Sequence, residues 1–446
     1  MSTSAITKTL KQKLIQQAIQ RKLKKSETTQ WTPPKANKTN STKQCSFKNH
    51  PGFQQLQIIN NGAKALGVPS PFFKVHQGNA GALSTINNKQ VINFASYNYL
   101  NLSGHPEVNQ AAIEATLTYG TSVSASRIVS GERPVHRELE QAIAQTYDVD
   151  DALVYVSGHA TNVSTIGYLF GPKDLIIHDE YIHNSSVVGS QLSGAKRLSF
   201  AHNNLDTLEK LLGDNRAKFD QVLIIVEGLY SMDGDYPDLA RLVDIKRRYN
   251  SFLMVDEAHS FGVLGNTGLG LKEHSDTQGK DVDIWMGTLS KTLSGCGGYI
   301  AGNHALIENL RFLSPGFLYS VGLPAPIAAA AITSLAIMRR EPQRVQKLQK
   351  ISQYFISKAK DLNFDTGDSV GTAIIPVILG SSVKAAQASA QLLDMGINVQ
   401  PILYPAVPER SARLRFFLSC EHTEQHVDQA LNALYSILNS QQRAII

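Results

Sequence analysis

Short, uninterrupted apolar runs recur through the middle of the chain, at 152–156, 175–177, 222–226, 252–255, 284–286 and 299–301. None alternates apolar with polar positions, so each predicts a strand covered on both faces. Between them lie longer stretches with apolar residues at three- and four-residue steps, such as 205–212 and 238–249, which predict helices. Strands alternating with helices predict a doubly wound α/β domain with a mostly parallel sheet. Such a sheet takes its ligand at the carboxyl ends of its strands. Upstream, 53–66 predicts a helix capped by Gly67, and 91–100 a strand and a turn. His105-Pro106 opens a helix through Tyr119, and 120–127 is a small-residue loop. After Pro324 the pattern changes. Helices are predicted at 325–340, 343–362, 385–395 and 424–438, and strands at 373–379, 398–402 and 414–418, which suit a smaller α+β domain. The predicted organisation is a tail with a polar linker at 1–50, an N-terminal segment at 51–95, a large domain at 96–324 and a small one at 325–446.

The tail changes how the charge is read. Ile6, Leu10, Leu14, Ile15, Ala18, Ile19 and Leu23 predict an amphipathic basic helix over 5–25. Its plain reading is a solvated helix or one packed on the body. Docking to an acidic partner such as an acyl carrier protein is a second reading. A transit peptide is a third, disfavoured by lysine in place of arginine. Residues 1–49 carry ten Lys, one Arg and one Glu, so the remainder is net −4 although the whole chain is +6. The basic balance therefore does not indicate a nucleic-acid-binding body. Three scattered cysteines make neither a disulfide framework nor a metal pattern, and no apolar run is long enough to span a membrane. The cytoplasm is the expected compartment.

Two strand ends carry the candidate chemistry. One reads Phe252-Leu-Met-Val-Asp256-Glu-Ala-His259. The other, 35 positions on, reads Ile284-Trp-Met-Gly-Thr288-Leu-Ser-Lys291 and runs into a glycine cluster. A carboxylate at a strand end is often only a helix cap, and a lone lysine there says little. Together, an amine, a carboxylate and an imidazole are the parts of a pyridoxal 5'-phosphate (PLP) site. Glu227 and Ser231 follow a third strand, where glycines and acids are also ordinary loop chemistry. Gly158 and His159 follow a fourth and open a helix. That is either a tight turn or a phosphate cradle. Alternation puts Arg413 and Arg415 on one strand face, as a carboxylate clamp or a solvated edge. No dinucleotide fingerprint and no metal-ligand spacing are present.

These stretches together resemble the α-oxoamine synthase family of fold-type-I PLP enzymes. The resemblance covers about 52–440 and rests on Ser96-Tyr-Asn98-Tyr-Leu100, Gly120-Thr-Ser, Val129-Ser-Gly-Glu, His136 with Leu139-Glu140, Ser157-Gly-His-Ala-Thr-Asn162, the run from Glu227 to Asp235, Val255-Asp-Glu-Ala-His-Ser-Phe-Gly262, Thr288-Leu-Ser-Lys291 and Arg413-Leu-Arg415. It implies Lys291 as the Schiff-base lysine and Asp256 as partner of the ring nitrogen. It implies His183 stacked on the ring, and His259 and Ser231 at its phenolic oxygen. Gly158, His159 and Thr288 fall in the phosphate cradle. Asn98, Glu227 and Arg415 fall to the substrate, with Arg415 on the amino-acid carboxylate. The implied reaction joins serine, alanine or glycine to an acyl thioester of CoA or acyl carrier protein, with loss of CO2 and thiol, to give an α-aminoketone. A homodimer is implied as well. The Tyr97-Asn98 pair is similar to serine palmitoyltransferases and to the synthases that accompany polyketide synthases. The alternatives are an aminotransferase on the same fold, a non-catalytic partner subunit (against which Lys291 speaks) and a carrier-protein scaffold.

Overall fold

The computed structural model describes residues 46–65, Gly67 and 70–443. The basic helix expected over 5–25 and most of the linker lie outside the described residues. The chain divides into Met1–Gly62 and Ala63–Ile446. A short turn, Phe47–Asn49, precedes a helix at Pro51–Ala65. Gly67 takes a left-handed φ of +63° and donates its N–H to Lys64 O, as a helix-ending glycine does.

Among the described residues fourteen strands follow: β1 His76–Gln77, β2 Leu83–Ile86, β3 Lys89–Asn93, β4 Asp151–Tyr155, β5 Leu175–Asp179, β6 Lys196–Phe200, β7 Val222–Glu227, β8 Phe252–Asp256, β9 Ile284–Thr288, β10 Gly298–Gly302, β11 Ile374–Ile378, β12 Ile397–Asn398, β13 Gln400–Ile402 and β14 Arg413–Phe417. The central sheet runs β4-β10-β9-β8-β7-β5-β6, and only β10 is antiparallel to its neighbours. Both of its faces are buried, as the apolar runs predict. Leu153, Ile176, Leu223, Ile225, Met254 and Ile300 point into one cluster, with Ile166 and Leu310 from helices Gly158–Leu169 and His304–Leu313. Their neighbours Val154, Ile177, Ile224, Val255, Trp285 and Ala301 point into the larger cluster on the other face.

Helix Ala325–Arg340 packs on helices Pro106–Tyr119 and Pro134–Tyr147. One expectation is corrected. The single strand expected at 398–402 is two strands in two sheets. β12 pairs in parallel with β3 in the sheet β1-β2-β3-β12, while β13 pairs with β14 in the sheet β11-β14-β13. The N-terminal segment thus shares a sheet with the C-terminal part.

Candidate active site

Every strand of the central sheet except β10 ends on one edge, and that edge carries the titratable cluster. Glu227 ends β7 and Asp256 ends β8, and the two are register partners. Lys291 lies three residues beyond the end of β9. One cavity is lined by Gly158, His159, Asn162, His183, Ser185, Glu227, Asp256, Ala258, His259, Met286, Thr288 and Lys291.

Asp256 is held at both oxygens. Oδ2 accepts from Asn162 Nδ2 at 2.9 Å, and Oδ1 from the Ala258 N–H at 3.0 Å. Asn162 reaches it from one helical turn inside Gly158–Leu169 and also donates to Ser185 Oγ. The next residue, Glu257, is spent elsewhere, on Ser260 Oγ and the Leu271 N–H. His183 caps helix Asn184–Ser193, accepting the Ser185 N–H at Nδ1, and its ring stays exposed. His259 is buried, with Nδ1 2.8 Å from the Tyr99 hydroxyl.

The electrostatics follow from burial. Burial lowers the Lys291 amine to about 8, against the pull of Asp256 and Glu227 and with a push from Arg415. Burial, reinforced by Asp256, raises Glu227 to about 8, and its Oε1 has no described partner. Burial, then Lys291, Arg415 and His183, drives His259 well below its ordinary value, so it is neutral. Lys291 Nζ lies 5.6 Å from the Tyr97 ring centre.

The two arginines of β14 differ in their partners. Both are on one face, as alternation requires. Arg413 is buried against Asp233 in a 2.6 Å ion pair. Arg415 donates Nη1 to Ser231 O at 2.8 Å, while its buried Nε has no described partner. Ser231 meets this region through its backbone, its N–H donating to Glu227 Oε2 at 3.2 Å, and it does not line the Lys291 cavity. Asn98 is not brought to the cavity. Its amide donates to Ala80 O and accepts from the N–H groups of Leu102 and Ser103, so it is used up in holding its own loop. Sequence reasoning missed Tyr99, Ser185 and the role of Asn162. The only signals were spacing: Asn162 is four residues from Gly158, and Ser185 two from His183.

The residues fit PLP. Gly158 opens a twelve-residue helix at the cavity, and a Cβ there would stand 2.8 Å from Thr288 Oγ1 and close the space between them. Free helix N–H groups, Thr288 and His159 suit a phosphate. Asp256 suits a protonated ring nitrogen, and the unpartnered Asn162 Oδ1 and Glu227 Oε1 are orphans that a ligand would satisfy. Among the described residues no cluster suited to a metal ion is present.

Residues 89–434 match the family described as aminotransferase class I and II. The chain is 39% identical over 377 residues to an 8-amino-7-oxononanoate synthase of Symbiobacterium thermophilum, covering 84% of this chain and 95% of that one. In fold it is similar to a serine palmitoyltransferase (SPT) of Sphingomonas wittichii, at 29% identity and a TM-score of 0.84 over 89% of this chain and 98% of that one. It is also similar to a high-resolution structure of SPT with PLP, at 28% identity and a TM-score of 0.83 over 87% and 98%.

Proposed function

Because this chain belongs to the aminotransferase class I and II family and, within it, to the α-oxoamine synthases, we propose that it joins a small α-amino acid to an acyl thioester, releasing CO2 and free thiol, with Lys291 as its proton-transferring base. The observation that carries this reading is Lys291 in one cavity with Gly158, His159, Thr288 and Asp256, its amine lowered by burial to about 8. An amine with that value is partly neutral near physiological pH and able to accept a proton.

When bound, PLP supplies a ring that accepts the electron pair left at the amino acid's Cα. The chain's residues do the rest. Asp256, fixed by Asn162 and the Ala258 N–H, is the charged partner that keeps the ring nitrogen protonated. His183 offers an exposed ring face. Thr288, His159 and the helix start at Gly158 hold the phosphate. Tyr99 shares a hydrogen bond with His259 Nδ1; in the tautomer in which the hydroxyl donates, the ring hydrogen sits on Nε2 and is available to an oxygen acceptor. Arg415 is anchored through Nη1 and leaves Nε for the amino-acid carboxylate, which fixes the Cα–H bond relative to Lys291. Glu227, raised to about 8, is the second polar wall of the amino-acid pocket.

A homodimer belongs to this reading. Leu117, Val129 and Tyr319 are 83%, 77% and 87% exposed, apolar surface that a second copy would cover. No described helix is long and apolar enough to cross a membrane, and the cytoplasm is the compartment we assign. The test is turnover with serine, alanine and glycine in turn, each with a long-chain acyl-CoA and with acyl carrier protein. One amino acid is expected to give CO2 and thiol in equal amounts. Release of a 2-oxo acid without thiol would make the chain a transaminase instead.

A further inference from the structure

Outside the Lys291 cavity, in the turn after the edge strand β6, the His202 ring sits between two carboxylates. Its Nδ1 lies 3.0 Å from Asp179 Oδ1 and its Nε2 2.8 Å from Asp235 Oδ2. Both aspartates are buried. An ionised carboxylate only accepts, so both ring nitrogens donate and the ring is an imidazolium. Burial opposes that charge, but the hydrogen bonds and fields of Asp179 and Asp235 outweigh it and push His202 to about 10. Tyr181 stacks on the ring and Tyr230 meets it edge-on, both with centroids at 4.4 Å. Glu180 accepts the His202 backbone N–H. Asn203 repeats the tie, its N–H donating to Asp179 Oδ2 and its side-chain amide to Asp235 Oδ2.

The two aspartates belong to different segments of the site. Asp179 ends β5 and starts the turn to His183. Asp235 closes a loop on itself, its carbonyl accepting the Tyr230 N–H at 2.8 Å. Ser231 in that loop is gripped by Glu227 on one side and Arg415 on the other. Resting on the reading of Glu227 and Arg415 as the amino-acid pocket, we propose that His202 is a positioning residue whose doubly bonded imidazolium sets the separation of the His183 turn from the Ser231 loop, and so tunes amino-acid affinity without touching the amino acid.

The test is His202→Gln, whose amide donates from one end only. The amino-acid KM is expected to rise about tenfold, while kcat at saturation and the thioester KM move less than about threefold. Independently of turnover, the cofactor-loaded wild type labelled with 15N-histidine should show two ring N–H signals at about pH 8 that are missing in H202Q. Either a single ring N–H signal or an unchanged amino-acid KM in folded H202Q overturns the proposal. So does a parallel change in kcat and both KM values, the mark of a merely structural role. If H202Q does not fold, His202→Gln with Asp235→Asn, which removes the surplus buried carboxylate, is read in its place. Arg415→Lys run alongside separates the premise from the inference. An unchanged amino-acid KM in R415K overturns the clamp, whereas a raised one beside a normal H202Q overturns only the role of His202.

Discussion

Two clusters of buried charge in this molecule use the same ingredients to opposite ends. At the start of β4, Arg127, Arg137 and Arg311 meet Glu132, Glu140 and Asp151. Both Glu140 oxygens and both Asp151 oxygens have partners, including the N–H groups of Val154 and Ala152. One guanidinium N–H, Arg311 Nε, is left over. At the other end of the sheet, Lys291, Asp256, Glu227 and Arg415 also gather, but Glu227 Oε1, Asn162 Oδ1 and Arg415 Nε are buried without described partners. A closed network holds a fold together. An open one leaves several valences that a ligand can complete, and that separates the candidate site from the structural cluster.

The largest test of this contrast is Lys291→Ala. Turnover, read as CO2 release, should fall by about 10⁴-fold, while the melting transition stays near that of the wild type. Lost activity with an equally lost fold would erase the distinction. Glu140→Gln should do the reverse. Breaking the closed network leaves guanidinium groups without their shared carboxylate and should cost about 3–5 kcal/mol in urea unfolding. Turnover per folded molecule should hold. An unchanged unfolding midpoint would show that the network contributes nothing.

The contrast was only half legible in the sequence. Apolar runs disclosed the central strands because burial on both faces leaves no alternation to misread. The edge strand β6 escaped, since Lys196, Arg197 and Ser199 are exposed and carry no core signal. The split between β12 and β13 escaped because contiguous residues say nothing about which sheet each joins. The places of Lys291 and Asp256 at strand ends were legible, and the fold brings both to one cavity. Which of Arg413 and Arg415 is held in an ion pair was not legible, because the distinction lies in where Asp233 and Ser231 fall. Asn162, Tyr99 and His202 act through partners far away in sequence, and no local pattern announces that.

Glu227→Gln sharpens the comparison through pH. Burial and Asp256 raise this carboxyl to about 8, so the folded chain binds its proton more tightly than the unfolded chain. The resulting stability is complete below the ordinary glutamate value and is lost as pH rises through about 8. Glutamine cannot lose a proton. In the cofactor-free protein the variant should match the wild type in thermal unfolding at about pH 5 and exceed it by about 1–3 kcal/mol at about pH 9. A variant that is less stable at both values would mean that Glu227 belongs to a closed network after all.

The smallest effect concerns the one cavity histidine held by a tyrosine. Tyr99 is fully buried, and burial first, then Tyr97, keeps its hydroxyl protonated far above the ordinary tyrosine range. A neutral hydroxyl can donate or accept; the expected arrangement is that it donates to His259 Nδ1, so that the neutral imidazole carries its hydrogen on Nε2. Tyr99→Phe keeps the ring packing but strands Nδ1. The fold should lose about 1–2 kcal/mol. Turnover should fall about three- to tenfold as the hydrogen redistributes between the two nitrogens. The decisive reading is the 15N spectrum of His259 rather than the rate. An unchanged Nε2–H pattern in the variant would mean that the pocket, not Tyr99, selects the tautomer, and the hydroxyl would then join the structural contacts instead of the site.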